Sequence, residues 1–198
     1  MRDFLHHLIT EQRVSFSTCN QKVCGIRFLY RHVLGRTNFA LRVPAKRSGR
    51  LPEPLARTQI ARLFDGATSL KQRMVLMTAY GGGGFRASEW VHLLPTDILS
   101  ERMMMRIDQG KGRKDRYTLL SHRLLDELRA YWRAYRPRRW LFEATTPGRH
   151  LTPDGAWRMF NRAKAQAGIR HGHGIHCLRH SFATHLMEAG CPSLSSSA

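Results

Sequence analysis

The amino-acid sequence predicts a mainly α-helical protein with a small antiparallel β insert. Apolar residues recur at helical spacing over most of the chain, most clearly in "LLDELRAYWRAY" (124–135), where leucines and aromatic residues would share one face. Two stretches are strand-like instead, "MMMRI" (103–107) and "RYTLL" (116–120), and the glycine-bearing "DQGKGRKD" between them is typical of a hairpin loop. We therefore expect a set of helices interrupted by one β-hairpin.

The chain also divides into two parts. Residues 1–35 indicate two amphipathic helices, too few to enclose a core of their own. The stretch "RVPAKRSGRLPEPL" (42–55) contains three prolines, one glycine and four basic residues, a composition typical of a linker. We expect a helical N-terminal unit over 1–41, a linker over 42–55 and a larger domain over 56–198.

Within the larger domain, glycine and proline mark where helices begin and end. "GGGG" (81–84) interrupts the helical pattern, and "RASEWVHLL" (86–94) predicts a helix that stops before Pro95. Thr152 and Pro153 predict an N-cap and a first-turn proline for a later helix, which Gly168 would close.

The charge of the chain predicts a polyanionic partner. Lys and Arg number 33 against 14 Asp and Glu among 198 residues, a formal net charge of +19. Nucleic acid ranks first and an anionic membrane surface second, but a membrane role would want a long apolar run or one basic amphipathic helix, and the sequence has neither. We expect nucleic acid as the partner, and no membrane association.

The cysteines and the N-terminus predict a reducing, cytoplasmic environment. The first residues, "MRDFLHHLITEQ", lack the apolar core of a signal peptide. The spacing of the four cysteines matches neither a metal-binding motif nor a disulfide framework; they are Cys19, Cys24, Cys177 and Cys191.

A cluster of cationic side chains is predicted near the C-terminus. In "HCLRHSFATHL" (176–186), His176, Arg179 and His180 stand three and four residues apart and would share one helix face. A zinc-protease pattern needs a glutamate directly after the first histidine, where this chain has Cys177, and Arg179 would repel a dication. We expect no metal; a phosphate clamp fits best, and a plain polar helix start is the alternative.

Two further stretches carry basic residues beside glycines. Arg86 in "GGGGFRASEW" (81–90) would stand at the first turn of a helix, where backbone amides favour anions, although a flexible turn with a surface arginine is the alternative. Lys111 in "GKGRKDR" (110–116) would lie at a hairpin tip, as a proton donor or in a solvated basic turn. We expect five more basic residues to contact the nucleic-acid backbone: Lys46, Arg47, Arg113, Lys114 and Arg116.

Taken in order, these stretches resemble the tyrosine recombinases, also called the phage integrase family. "ASEWVHLLPTDI" is similar to the family's R-x-S-E-L…L…DI stretch, "GKGRKDRYTLLS" to its GKG-x-K-x-R hairpin, and "HCLRHSFATHLMEAG" to the box with its second arginine. Residues 1–35 resemble the later helices of the helical, SAM-like core-binding domain that precedes the catalytic domain. The integrases of transposons and other mobile elements are the most similar branch.

The resemblance implies that DNA strands are broken and rejoined without a metal or nucleotide cofactor. Arg86 and Arg179 would clamp the scissile phosphate, and Lys111 would protonate the leaving 5′ oxygen. His176 would assist proton transfer, and His180 would support the site. A tyrosine would form a 3′-phosphotyrosyl link, and other recombinase subunits are expected partners.

The sequence departs from the family pattern in two places. Its last tyrosine is Tyr135, upstream of the second arginine box, whereas the family's nucleophile follows that box. We therefore expect a chain cut short before the nucleophile, which binds DNA but does not cleave it alone. A non-catalytic DNA-binding module or regulator is the alternative, and a type IB topoisomerase relative is a third. The five residues "GGGGF" before Arg86, one more than expected, could also shift its helix.

Overall fold

The computed structural model of this protein describes residues 2–36, 53–82, 85–107, 115–146, 148–172 and 174–191. The chain divides into two compact units, Met1–Leu51 and Pro52–Ala198. Helices dominate the described residues and one small antiparallel sheet accompanies them, so the predicted fold class is confirmed. No helix within these ranges is both long enough and apolar enough to cross a bilayer.

The first unit contains the two helices predicted for it. Helix α1 spans Arg2–Thr10, and α2 spans Phe16–Phe28 and continues as a π-helical turn over Leu29–Val33. Ser15 caps α2, because its hydroxyl accepts a hydrogen bond from the backbone N–H of Thr18 at 3.2 Å. Three buried side chains form the small core: Leu8, Cys19 and Val23.

Among the described residues, the second unit has six α-helices, and one of them is buried by the others. They are α3 (Arg57–Asp65), α4 (Leu70–Gly81), α5 (Ala87–Trp90), α6 (His122–Tyr135), α7 (Pro153–Gln166) and α8 (His176–Glu188). Helix α4 is the central one, since Met74, Val75, Leu76 and Met77 are all buried and it packs against α3, α6, α7 and α8.

Side-chain caps begin the helices as the sequence indicates. The Thr152 hydroxyl accepts a hydrogen bond from the Gly155 N–H at 3.0 Å, and α7 starts at Pro153, which confirms the predicted N-cap and first-turn proline. Ser121 caps α6 in the same way through the N–H of Leu124. Helix α5 is shorter than predicted: it covers only four residues of the expected 86–94 helix.

Three short strands form an antiparallel sheet in the order β1-β2-β3. The two predicted strands are β2 (Met104–Ile107) and β3 (Arg116–Leu119), and their pairing is confirmed. The sequence analysis missed β1 (Ile98–Leu99), which pairs with the other edge of β2. Residues 108–114, for which the sequence predicts a hairpin loop, lie outside the described residues.

The predicted linker ends earlier than Leu55. The Leu55 side chain is fully buried in the core of the second unit, and its N–H donates to the Ser181 hydroxyl of α8 at 2.8 Å. Residues 42–52 of the predicted linker lie outside the described residues. Leu55 therefore belongs to the larger unit, anchored to the helix that carries the second arginine box.

Candidate phosphate-binding site

Helix α8 carries the predicted cationic cluster. It begins at His176, directly after a turn in which Gly174 has a φ of +73°. Cys177 and Leu178 face the core, whereas His176 and His180 are exposed and Arg179 is half-buried. Arg179 and His180 follow His176 by three and four residues within α8, so the predicted placement of the three residues on one helix is confirmed.

Arg86 stands at the N-cap of α5, where the structure ties it to Glu89. The Arg86 N–H donates to Oε2 of Glu89 at 2.7 Å, and its Nη1 lies 3.4 Å from Oε1 of the same carboxylate. This is the reciprocal half of a capping box, in which the third helical residue reaches back to the N-cap. The Glu89 side chain is only 8% exposed, so the carboxylate holds Arg86 from the protein side.

Arg116 joins this group from the first residue of β3. Its Nη1 donates to Oε1 of Glu89 at 2.9 Å and its Nη2 to Oε2 at 2.5 Å, a bidentate pair. The hydroxyl of Thr118, also on β3, donates to the carbonyl of Gly82 at 3.0 Å. Strand β3 is thus fastened at two points to the segment that presents Arg86.

Charge interactions connect Arg179 to the same group. Partial burial lowers the pKa of Arg179, and repulsion from Arg86 and Arg116 lowers it further, while attraction to Glu89 acts in the opposite direction. These four side chains therefore share one electrostatic environment, although Arg86 and Arg179 lie far apart in sequence. We call Arg86, Arg116, Arg179 and Glu89 the arginine cluster.

The Glu89 carboxylate is held in its charged form. Burial alone would raise its pKa, but the hydrogen bonds from Arg116 and Arg86 and the positive charge of both residues outweigh burial and lower the pKa. Three guanidiniums against one carboxylate leave the cluster net positive. Planar, cationic donors of this kind suit the oxygens of a phosphodiester.

The inner face of α8 is fixed by polar contacts to the core. The buried Ser181 hydroxyl accepts from the Leu55 N–H and donates to the Cys177 carbonyl, each at 2.8 Å. The Tyr80 hydroxyl lies 2.7 Å from Nδ1 of His185, and Nη2 of Arg57 donates to the His185 carbonyl at 2.8 Å. These contacts fix the rotation of α8 and so the direction in which Arg179 points.

The other predicted site residues differ in where the structure places them. His176 and His180 are on the exposed side of the helix that bears Arg179. Lys111, Arg113, Lys114, Lys46 and Arg47 lie outside the described residues. Arg116, predicted to contact DNA, is here the bidentate partner of Glu89. Among the described residues, no three or more His, Cys, Asp and Glu side chains are grouped to hold a metal ion.

Comparison with known proteins identifies the family. The sequence model of the Phage integrase family matches residues 54–194, and that of the phage integrase N-terminal SAM-like domain matches residues 1–38. The chain belongs to the phage integrase family. This confirms the resemblance predicted from the three motifs.

Relatives of this integrase-family chain include bacterial recombinases. It is 35% identical over 192 residues to y4qK of Sinorhizobium fredii, which bears the name integrase/recombinase, with 96% of this chain and 62% of the relative covered. It is 34% identical over 201 residues to the tyrosine recombinase XerD of Caulobacter vibrioides, with coverage of 89% and 64%. The chain thus spans somewhat less than two thirds of the length of these two relatives.

Solved structures of recombinases share the integrase fold seen here. The XerH recombinase in a post-cleavage complex with its palindromic difH substrate matches with a TM-score of 0.78 and 21% identity, over 96% of this chain and 58% of XerH. A lambda integrase dimer bound to a COC′ core site matches with a TM-score of 0.72 and 15% identity, over 95% of this chain and 72% of that chain. At these identities the likeness establishes the fold.

Proposed function

We propose that this chain binds double-stranded DNA and holds one backbone phosphodiester between Arg86 and Arg179, as part of site-specific strand breaking and rejoining. The observation that carries the proposal is the electrostatic coupling of these two arginines, which come from separate segments and share a net positive cluster. Two guanidiniums on one phosphate would stabilise the additional negative charge of its transition state. Net charge of +19 would draw the chain to DNA.

Other residues take supporting roles in this proposal. Lys111, from the loop after β2, donates a proton to the departing 5′ oxygen, and His176 assists proton transfer one turn before Arg179. His180 supports the site without touching the reacting atoms. Glu89 and Arg116 are positioning residues, since their bidentate pair fixes the segment that presents Arg86. The reaction so described uses no metal or nucleotide.

Contacts to the DNA backbone would come from both units of the chain. In this proposal the core-binding unit (1–41) and the catalytic domain (56–198) each contact the duplex, and Lys46, Arg47, Arg113 and Lys114 add contacts to its phosphates. Further recombinase subunits are expected on the same DNA. Association with the bacterial nucleoid follows, because duplex DNA is the proposed ligand.

The proposal assigns no tyrosine of the 198 residues to nucleophilic attack. All five tyrosines precede α8: Tyr30, Tyr80, Tyr117, Tyr131 and Tyr135. Tyr131 is buried, Tyr135 stacks on it with ring centroids 4.8 Å apart, and the Tyr80 hydroxyl is bonded to His185. The nucleophile would come from outside this sequence, and the chain supplies the groups that hold and polarise the phosphate.

Duplex binding tests the first half of the proposal. Fluorescence anisotropy with a labelled duplex should give tight binding at low salt and a steep loss of affinity as salt rises, because each neutralised phosphate adds about −0.9 to the log–log slope. Replacing Arg86 and Arg179 together by alanine should weaken binding and make that slope shallower. Arg158→Ala removes an exposed arginine that pairs with Asp154 on α7, and it serves as the matched control.

Cleavage in trans tests the second half. The chain alone, incubated with a nicked suicide substrate, should form no covalent adduct that survives denaturation. Addition of a recombinase segment that carries the nucleophilic tyrosine should allow cleavage, and Arg179→Ala should slow it by about a hundredfold or more. Cleavage at the wild-type rate by the Arg86 and Arg179 variants would refute the phosphate clamp.

A non-catalytic role is the second candidate, because the net positive arginine cluster can hold a phosphodiester whether or not the strand is cut. In that case the chain would occupy recombination sites or regulate a recombinase assembly. Salt-sensitive duplex binding combined with no cleavage in any complemented mixture would favour this role.

A further inference from the structure

The C-terminal end of α6 presents aromatic side chains that the core does not cover. The apolar face of this helix is buried as far as Tyr131. The next two apolar positions, Trp132 and Tyr135, are 43% and 47% exposed. One face of the Tyr135 ring stacks on Tyr131 at a tilt of 26°, so its other face is directed away from the core. The apolar face of α6 therefore continues past the part of the helix that packs on the core.

Arg136 adopts a conformation that holds its charge against this aromatic surface. It caps α6 in the left-handed region, with a φ of 46°, where glycine would be least strained. Its N–H donates to the Trp132 carbonyl at 2.8 Å, and its guanidinium carbon lies 4.3 Å from the centroid of the Trp132 ring. An unfavourable backbone conformation thus accompanies a cation stacked on an exposed ring.

Arginines are concentrated around the two rings. The segment 133–139 contains four arginines, Arg133, Arg136, Arg138 and Arg139, and among the described residues none of them forms an ion pair. Arg129, one turn earlier on the same helix, instead pairs with Asp126 at 3.5 Å. We call Trp132, Arg133, Tyr135 and Arg136 the α6 patch.

We propose that the α6 patch binds single-stranded DNA, with bases stacked on Trp132 and Tyr135 and the backbone phosphates on Arg133 and Arg136. A duplex keeps its bases stacked internally and offers mainly phosphates to a surface, so it would leave both rings unused. An acidic protein would likewise neutralise the arginines and leave the rings without a planar partner. Exposed aromatic faces among arginines match unstacked bases joined by phosphates.

The first experiment separates stacking from charge by changing the ligand. Anisotropy of the 198-residue chain should show tighter binding of a labelled fifteen-nucleotide oligothymidine than of an abasic oligomer of the same length and charge. Base stacking on one aromatic ring contributes enough for a preference of at least about fivefold. Equal affinity for the two oligomers would overturn the proposal, because charge alone would then account for binding.

The second experiment changes the patch. Trp132→Ala should weaken oligothymidine binding by at least about fivefold and leave binding of the abasic oligomer and of duplex unchanged, whereas Trp132→Phe should retain most of the affinity. Trp157→Ala, which removes a 50% exposed tryptophan on α7, is the matched control. Equal losses for all three ligands would refute a base-stacking role.

The outcomes distinguish this proposal from the proposed function. Replacing Arg86 and Arg179 should weaken duplex binding and leave the affinity for oligothymidine unchanged. Replacing Trp132 should weaken oligothymidine binding and leave the affinity for duplex unchanged. Should Trp132→Ala fail to fold, photocrosslinking of the wild-type chain to a bromodeoxyuridine oligomer and peptide mapping decide the question. Crosslinks at Trp132 or Tyr135 support the proposal, and crosslinks confined to other residues overturn it.

Discussion

Replacing Glu89 by glutamine tests whether this carboxylate holds the arginine cluster together. The substitution keeps the shape of the side chain and removes its charge. In the folded protein Glu89 accepts both N–H groups of the Arg116 fork and the N–H of Arg86, and its side chain is 8% exposed. Glutamine would turn an amide donor toward a guanidinium and remove the negative charge that faces Arg86, Arg116 and Arg179.

The size of the effect follows from burial. Breaking a fully buried ion pair costs about 3–5 kcal/mol, but the Arg116 and Arg86 side chains are 34% and 42% exposed, so water screens part of the loss. We expect Glu89→Gln to lower the free energy of unfolding by about 2 kcal/mol. This lies between the cost of breaking a buried ion pair and the value of up to about 1 kcal/mol typical of exposed pairs. For a unit of this size, that corresponds to a fall in Tm of about 4–8 °C.

The pH dependence of the stability difference between wild type and Glu89→Gln is a stricter test than its size at one pH. Because the folded pKa of Glu89 is lowered, its contribution is present above the unfolded pKa, near 4.3, and is lost as pH falls through the folded pKa. Urea unfolding should therefore show a wide gap between wild type and Glu89→Gln at pH 7. The gap should close progressively below about pH 4.

An exposed pair provides the control for this prediction. Asp126→Asn removes a carboxylate that is 73% exposed and lies 3.5 Å from Arg129, and it should change stability by less than about 0.5 kcal/mol. A stability difference between wild type and Glu89→Gln that is below about 0.5 kcal/mol, or that persists undiminished at pH 3, would refute the reasoning.

Three further predictions concern the packing of the larger unit. Ser181→Ala should cost about 1–3 kcal/mol by chemical denaturation, because the buried N–H of Leu55 loses its acceptor. Gly66→Ala should destabilise the unit measurably, since the added Cβ would lie 2.8 Å from the carbonyl of Ala163 on α7. Burial raises the pKa of the Cys177 thiol to about 11, so in a thiol-labelling assay at pH 8 it should react far more slowly than the two exposed thiols, and equal rates would contradict its burial.

Local sequence patterns predicted most of the helices and strands. Where the predictions were wrong, contacts between residues distant in sequence explain the difference. The 86–94 stretch has helical spacing, yet α5 ends at Trp90, because Trp90, Val91 and Leu93 are all buried and the Leu93 carbonyl accepts the N–H of Leu141 at 2.7 Å. A bond to a residue so distant in sequence leaves no local signal. Strand β1 is two residues long, too short for alternation to be recognised, and its pairing with β2 defines it.

The candidate site was predictable only in part, for a similar reason. Motif spacing singled out Arg86 and Arg179, whose charges the structure couples. Glu89 was missed because its spacing from Arg86 indicates only the start of a helix. Its second role depends on Arg116, which the antiparallel pairing of β2 and β3 brings to it. An ion pair set by strand register cannot be inferred from either residue alone.

The charge imbalance of the arginine cluster gives the integrase fold a reason to bind an anion there. The pKa of Arg179 is lowered by partial burial and by two neighbouring arginines, which means that its positive charge is destabilised even though Glu89 acts in the opposite direction. A phosphodiester placed among the three guanidiniums brings a negative charge that offsets this repulsion. The transition state of its cleavage carries more negative charge and would gain more from the same groups. In the proposed function, the repulsion among these guanidiniums would therefore be relieved more in the transition state than in the bound ground state, while Glu89 limits the repulsion in the free protein.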